Sequence, residues 1–67
     1  MKSVIKIYNM DSQNDVIKIQ DVIVKNSGIV ATQISLEKKE VTIIYNDKFI
    51  NIKNIIDSVE DLGYMTM

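Results

Sequence analysis

The stretch "IVATQISLEKKEVTIIYND", residues 29–47, decides the fold, because two runs rich in β-branched residues flank a lysine-rich turn. Runs of this kind joined by a short polar turn are typical of a β-hairpin. We therefore predict antiparallel strands over residues 29–37 and 40–47. Successive side chains of a strand alternate between its two faces, so three apolar side chains of the second strand share one face: Val41, Ile43 and Tyr45.

The segments on either side of this hairpin have the spacing of amphipathic helices. The first helix is predicted within residues 13–26, where the sequence "NSG" ending at Gly28 supplies a stop and a residue that tolerates the left-handed conformation. The second helix is predicted over residues 52–62, with Asn51 as its N-cap and Gly63 at its end. The expected apolar stripes consist of Val16, Ile19, Val22 and Ile23 in the first helix and of Ile52, Ile55, Ile56, Val59 and Leu62 in the second.

The two ends of the chain are predicted to be strands. "SVIKIYN" at residues 3–9 places Ile5 and Ile7 on one side, and "YMTM" at residues 64–67 is a short last strand. The resulting order is βαββαβ, and right-handed crossovers place both helices on one face of a four-stranded antiparallel sheet. The predicted fold class is therefore α+β, a ferredoxin-like sandwich, with residues 1–67 forming a single domain.

Composition excludes several classes of function. The chain has eight lysines, no arginine and nine acidic residues, and the lysines are scattered among the acids, so no nucleic acid is expected as a partner. No apolar run is long enough to span a bilayer, so we predict a cytoplasmic protein without membrane insertion. Cysteine and histidine are both absent, which excludes disulfides and ordinary zinc sites. We find no catalytic constellation or phosphate loop, so we predict that the protein is not an enzyme.

Several short motifs occur in register along the whole chain. Met10 precedes a polar loop that ends before Val16, and "GI" follows the first predicted helix at residues 28–29. "ISLEKKEVTIIYND" spans residues 34–47, and "IIDSVEDLGY" at residues 55–64 is the most specific piece. In this combination the chain resembles, from end to end, the heavy-metal-associated domain family, which includes copper chaperones, mercury carriers and the N-terminal domains of metal-pumping ATPases.

The family's metal motif is Met-x-Cys-x-x-Cys, and the resemblance assigns its methionine to Met10. Ser12 and Asp15 stand in the two cysteine places. Soft ions such as copper(I) are held by thiolates, whereas a serine hydroxyl does not ionise near neutral pH and a carboxylate is a hard donor. We therefore expect neither a soft metal nor any other cofactor at Met10, Ser12 and Asp15.

The same loop has the composition of a helix start. Ser12 and Asp15 form a Ser-x-x-acid pattern close to a capping box, and an acid in the first turn interacts favourably with the helix dipole.

Two further departures from the family concern the backbone. Asn9 stands in a usual glycine place, where asparagine tolerates the left-handed region. Lys39 stands in another, where a positive φ would cost roughly 1 kcal/mol.

Two other kinds of metal site are conceivable in this sequence, one with oxygen ligands and one with thioether ligands. Asp11, Asn14 and Asp15 could offer oxygens to a hard ion, but the loop has neither the glycine turn nor the distal glutamate of a calcium loop. The four methionines could offer thioethers, but we expect them in the core or on strand edges. A metal-binding or metal-transport protein with an oxygen or methionine site is therefore kept as the alternative function.

Ile17 and Val24 lie off the buried stripe of the first helix, seven residues apart, in places where the family usually has polar residues. Scattered exposed apolar residues are ordinary, so these two side chains are either unremarkable or part of an interaction surface. The second interpretation predicts a protein partner or a weak homodimer. The function expected from the sequence is that of a cysteine-free, non-catalytic interaction module related to metal transport, and a decayed copy without a role is a third interpretation.

Overall fold

The computed structural model describes residues 1–66, which form three strands and two helices. In chain order these are β1 (Lys2–Lys6), α1 (Gln13–Val24), β2 (Ile29–Ser35), β3 (Glu40–Tyr45) and α2 (Ile52–Asp61). The strands form one antiparallel sheet in the order β1-β3-β2, so the predicted hairpin supplies two neighbouring strands. The α+β class and both helices are confirmed.

The predicted fourth strand is reduced, within residues 1–66, to a single antiparallel bridge between Ile7 and Thr66. One backbone hydrogen bond supports it, from the Tyr8 N–H to the Met65 carbonyl at 2.9 Å. The last expected strand position, Met67, lies outside the described residues. The four-stranded sheet is therefore not shown, although the bridge runs beside β1, where a fourth strand would lie.

The core lies between one face of the sheet and both helices. Ten side chains are at most 5 % exposed and form one cluster: Ile5, Ile7, Met10, Ile19, Ile23, Val41, Ile43, Tyr45, Ile55 and Val59. Because α1 and α2 both contribute to this cluster, they cover the same face of the sheet. The opposite face stays open, with Val4 and Ile44 exposed. Burying each large aliphatic side chain stabilises the fold by roughly 1.5–3 kcal/mol.

One residue of the predicted apolar stripes is exposed. Leu62 is 45 % exposed, because α2 ends at Asp61 and Leu62 is already its C-cap. The chain then turns away through Gly63, whose φ is 98°. Leu62 therefore lies beyond the helix, and the helical periodicity that predicted its burial does not apply to it.

The connection from α1 to β2 depends on Gly28. Its φ is 90°, and an added Cβ would lie 2.9 Å from the Cβ of Phe49. Both the left-handed backbone and the close approach require glycine at this position. The left-handed conformation predicted for Gly28 is confirmed, but the C-cap of α1 is Lys25, so Gly28 lies in the turn after the helix and does not cap it.

Candidate functional site

Residues 8–15, which span the loop after β1 and the first turn of α1, hold the three residues that the sequence places at a metal motif; we call this segment the site loop. Met10 is fully buried, so its thioether is part of the core beneath the loop. Ser12 and Asp15 lie at the start of α1, with Ser12 as the N-cap residue. The structure thus brings Ser12 and Asp15 together and places Met10 in the core.

Ser12 and Asp15 form a reciprocal capping box. The Asp15 amide donates to the Ser12 Oγ at 3.3 Å, and the Ser12 amide donates to the Asp15 Oδ2 at 3.1 Å. The same carboxylate oxygen accepts a third bond from the Asp11 amide at 3.0 Å. These bonds satisfy amides that a helix start otherwise leaves without partners. The predicted cap is confirmed, and the Asp15 carboxylate organises the site loop as well as the helix.

The other oxygen of Asp15 is bound by a side chain from the far end of the sequence. The Tyr64 hydroxyl donates to the Asp15 Oδ1 at 2.5 Å. That bond, with the amide bonds from Asp11 and Ser12, lowers the pKa of Asp15 to about 2. Burial of the hydroxyl, together with its bond to Asp15, raises the pKa of Tyr64 to about 12. The charged carboxylate and the neutral phenol therefore stabilise each other throughout the ordinary pH range.

Lys39, in the turn between β2 and β3, fastens the site loop from the other side. Its Nζ lies 3.0 Å from the Asp11 Oδ1 and 3.3 Å from the Tyr8 carbonyl oxygen. Its own carbonyl accepts a hydrogen bond from the Ile7 amide at 2.8 Å. The backbone at Lys39 has a φ of 55°, so this non-glycine residue has the left-handed conformation whose cost was considered from the sequence.

Asn9 does not have the conformation that the sequence suggested. Among the described residues, Lys39 is the only non-glycine residue with a positive φ, so Asn9 is not left-handed. Its side chain instead joins the site loop to the segment after α2. The Asn9 Nδ2 donates to the Gly63 carbonyl at 3.2 Å, and the Asn9 Oδ1 accepts from the Met65 amide at 2.8 Å. Asn9 therefore supports the site loop through the hydrogen bonds of its side-chain amide and not by adopting a left-handed backbone.

These contacts leave the site loop poorly suited to a soft ion. The Asp15 carboxylate already accepts three hydrogen bonds, and Asp11 is paired with Lys39. Within residues 1–66, no group of three or more histidine, cysteine, aspartate or glutamate side chains is arranged to hold a metal. The donors present are a hydroxyl and hard carboxylates, which do not fit the thiolate coordination that copper(I) prefers.

The side chains of Ile17 and Val24 lie on the outer surface of α1, and we call this pair the helix patch. They are 50 % and 51 % exposed, so neither belongs to the core. Seven residues separate them, which is about 10 Å along a helix and nearly two full turns. The patch therefore runs along α1 from just beyond the site loop toward the end of the helix.

Three contributors to the site were missed or only partly anticipated: Tyr64, the Lys39 ammonium group and the Asn9 amide. Tyr64 follows the second helix, and its hydroxyl lies beside Asp15, 49 residues earlier in the chain. A tyrosine after a helix-ending glycine carries no local signal for such a contact. The contact could have been anticipated only from the predicted fold, in which an acid at the start of the first helix and a tyrosine after the second helix come close together.

Comparisons with known proteins agree with this geometry. The family model for the heavy-metal-associated domain matches residues 4–65. No curated protein sequence gives a significant match. No helix within residues 1–66 combines the length and apolar character needed to cross a bilayer.

Solved structures with the same fold share little sequence with the chain. A CopZ metallochaperone superposes with a TM-score of 0.95 at 18 % identity, with all of both chains covered. Oxidized MerP from Ralstonia metallidurans CH34 gives 0.92 at 15 % identity, covering all of this chain and 93 % of that one. The N-terminal domain of a potential copper-translocating P-type ATPase from Bacillus subtilis, in its Cu(I)-loaded state, gives 0.91 at 23 % identity, covering 97 % and 81 %. At these identities the likeness shows the fold alone.

Proposed function

The chain belongs to the heavy-metal-associated domain family, and from this premise we propose that it is a cysteine-free, non-catalytic binding module that docks on a protein in the cytoplasm. A component of a metal-transport system is the first candidate for that protein, because the superposed structures include a metallochaperone and a domain of a potential copper-translocating P-type ATPase. According to this proposal, the protein uses the family fold to recognise a partner protein and does not carry a soft metal ion.

The observation that carries the proposal is the closed state of the site loop. In this chain the Asp15 carboxylate cross-links the loop, the start of α1 and Tyr64 by hydrogen bonds. Lys39 adds a second fastening through Asp11. A loop held by its own side chains needs no ion to define its shape, so the adjoining surface of α1 is preorganised for a partner.

The charge of the surface indicates the chemistry of that partner. The helix layer, residues 11–26 and 51–62, carries six acidic residues against three lysines, a net charge of −3. The rest of the chain carries five lysines and three acids, a net charge of +2, which together give the total of −1. A partner that places apolar side chains on the helix patch and lysine or arginine around it would complement this layer.

Changing Ile17 and Val24 together to lysine tests this function. The probe is the purified N-terminal heavy-metal-associated domain of a metal-pumping ATPase from the same cell, titrated into isotope-labelled protein without metal. We expect amide shifts along α1, and at least a tenfold weaker affinity for the double variant, since two central apolar contacts are lost and the net charge of the helix layer changes from −3 to −1. The free energy of unfolding should change by no more than about 0.5 kcal/mol per site.

The control is Val30→Lys, which adds one positive charge, half of that added by the double variant, at a residue 71 % exposed in β2, outside the helix layer. This variant should bind the probe like the unchanged protein. Shifts confined to the sheet, or equal binding by the helix-patch variant, would contradict the assignment of the patch. Absence of shifts at millimolar probe would contradict docking on this class of partner.

A further inference from the structure

The two edges of the sheet differ in how they are protected against pairing with another strand. β1 carries Lys2 and Lys6, and the bridge at Ile7 continues its pairing beyond the end of the strand. β2, the opposite edge, has the sequence "IVATQIS" and contains no charged residue and no proline. Edge strands are usually blunted by lysine, proline or a bulge, because their free backbone groups recruit other strands. β2 has only a bulge, at Val30, where the register shifts between Ile29 and Ala31.

The hydrogen-bonding pattern identifies which backbone groups of β2 are free. Tyr45 of β3 exchanges two bonds with Met1, each 2.9 Å long, so its backbone groups point toward β1. Alternate residues of an antiparallel strand bond to opposite neighbours, so Thr42 and Ile44 bond toward β2. Their partners are Gln33 and Ala31.

The intervening residues of β2, Thr32 and Ile34, therefore direct their N–H and C=O groups away from the sheet. Within residues 1–66, no hydrogen bond from outside the sheet reaches them. They lie in the regular stretch of β2, beyond the bulge at Val30, where the strand follows β3 without a register shift. The free edge is therefore short, regular and uncharged.

We propose that β2 pairs with β2 of a second copy, antiparallel across a two-fold axis at Gln33, to form one continuous sheet. This register places Thr32 of each copy opposite Ile34 of the other. The outward groups of both residues then meet, and two such pairs exchange two bonds each, four hydrogen bonds in all. A register centred on Thr32 would instead place Ile34 opposite the bulged Val30.

The side chains of this register are compatible with one another. Ala31 lies opposite Ser35, and Gln33 lies opposite Gln33, so no like charges meet along the regular stretch. The two Gln33 amides lie on the open face of the sheet, beside the axis, and can bond to each other. The contact is isologous and closes at two copies. Because an edge contact of this length is small, the dimer is weak and forms at high concentration.

Charge-swap variants at the axis test the register. Gln33→Lys and Gln33→Glu each place like charges opposite one another in a homodimer, and each should weaken self-association about fivefold. An equimolar mixture of the two variants pairs lysine with glutamate and should associate more strongly than either variant alone. Sedimentation equilibrium over a concentration series measures all three. Rescue in the mixture cannot arise from misfolding, so it supports this register specifically.

Two surface variants serve as controls, and amide exchange supplies an independent measurement. Val4→Lys, on the open face of β1, and the pair Ile17→Lys with Val24→Lys should dimerise like the unchanged protein. On dilution the amide protons of Thr32 and Ile34 should lose protection, whereas that of Gln33, bonded within the sheet, should keep it. Unchanged protection on dilution, or a mixture that associates no better than its components, would overturn the proposal. Binding of an extended segment from another protein without self-association would overturn the second copy as the occupant.

Discussion

Asp15 holds the start of α1 and the site loop together. Its carboxylate accepts bonds from two backbone amides and from the Tyr64 hydroxyl, so its negative charge is stabilised without a cation. The pKa of about 2 lies below the ordinary 3.8, so this contribution is present above about pH 4 and is lost as the pH falls toward 2. Tyr64, with its pKa raised from 10.0 to about 12, contributes stability below pH 10 that is lost between pH 10 and 12.

Replacing Tyr64 by phenylalanine separates these contributions. The pKa of Asp15 should rise, but it should remain below 3.8 because the amide bonds from Asp11 and Ser12 persist. The loss of stability between pH 10 and 12 should disappear. Carboxyl-carbon NMR titration and urea unfolding at several pH values measure these two effects. Tyr45→Phe removes a hydroxyl that lies 3.0 Å from the Ser3 Oγ and should leave the pKa of Asp15 unchanged; an equal shift in both variants would contradict the Tyr64–Asp15 bond.

At the scale of elements, the turn between β2 and β3 combines a strained backbone with a side chain that binds the site loop. Lys39 has a φ of 55°, which costs roughly 1–2 kcal/mol for a residue with a Cβ. Its ion pair with Asp11 joins side chains that are 41 % and 71 % exposed, so it contributes only about 0–1 kcal/mol. The strain therefore equals or exceeds the gain from the ion pair, which suggests that the lysine is kept for positioning the site loop.

Comparing Lys39→Gly with Lys39→Ala distinguishes the cost of the strained backbone from the stabilisation by the side-chain bonds of Lys39. Both variants lose the bonds to Asp11 and the Tyr8 carbonyl, but only glycine relieves the left-handed backbone. We expect the glycine variant to be about 1 kcal/mol more stable to urea than the alanine variant. Both should show faster amide exchange in the site loop than the unchanged protein. Equal stabilities would show that the turn relaxes when the side chain is shortened.

The sequence predicted those elements whose signals are local. The hairpin, the cap at Ser12 and the stops at Gly28 and Gly63 each depend on residues a few positions apart, and all are present. Asn9 was interpreted through its backbone, whereas its amide bonds to Gly63 and Met65, more than 50 residues away. Such contacts exist only after the sheet and α2 have brought the two ends together. Leu62 was misplaced because periodicity does not reveal the residue at which a helix ends.

On the scale of the whole molecule, the core and the site loop are held together by the chain's own side chains. The ten-residue core is built from aliphatic side chains, Met10 and Tyr45, and the site loop is closed by hydrogen bonds. The helix patch and the free edge of β2 lie on different layers of the molecule, so one protein could dock on α1 while a second copy occupies the edge. A partner bound by such a dimer would gain avidity without any new contact.

Restoring the two cysteines tests whether the scaffold still has the register of a metal carrier. Ser12→Cys with Asp15→Cys should create a copper(I) site, because the two thiolates would lie at the start of α1, next to buried Met10. The metal-free variant should be less stable by about 1 kcal/mol for the lost serine cap, with a further loss from the broken bond to Tyr64. Competition for copper(I) against a colorimetric chelator of modest affinity, followed by urea unfolding, measures both effects.

The unchanged protein and the pair Ser12→Ala with Asp15→Asn are the controls in this competition, since the control pair also disrupts the cap but adds no thiol. Both should leave the copper(I) with the chelator. A stoichiometric transfer to the unchanged protein would contradict the proposed loss of soft-metal carriage and would point to the exposed Met65 or Met1. A cysteine variant that folds normally and still ignores copper(I) would show that residues 12 and 15 are not the family's ligand positions. Transfer to the cysteine variant alone would show that replacement of two side chains removed the metal from an otherwise competent scaffold.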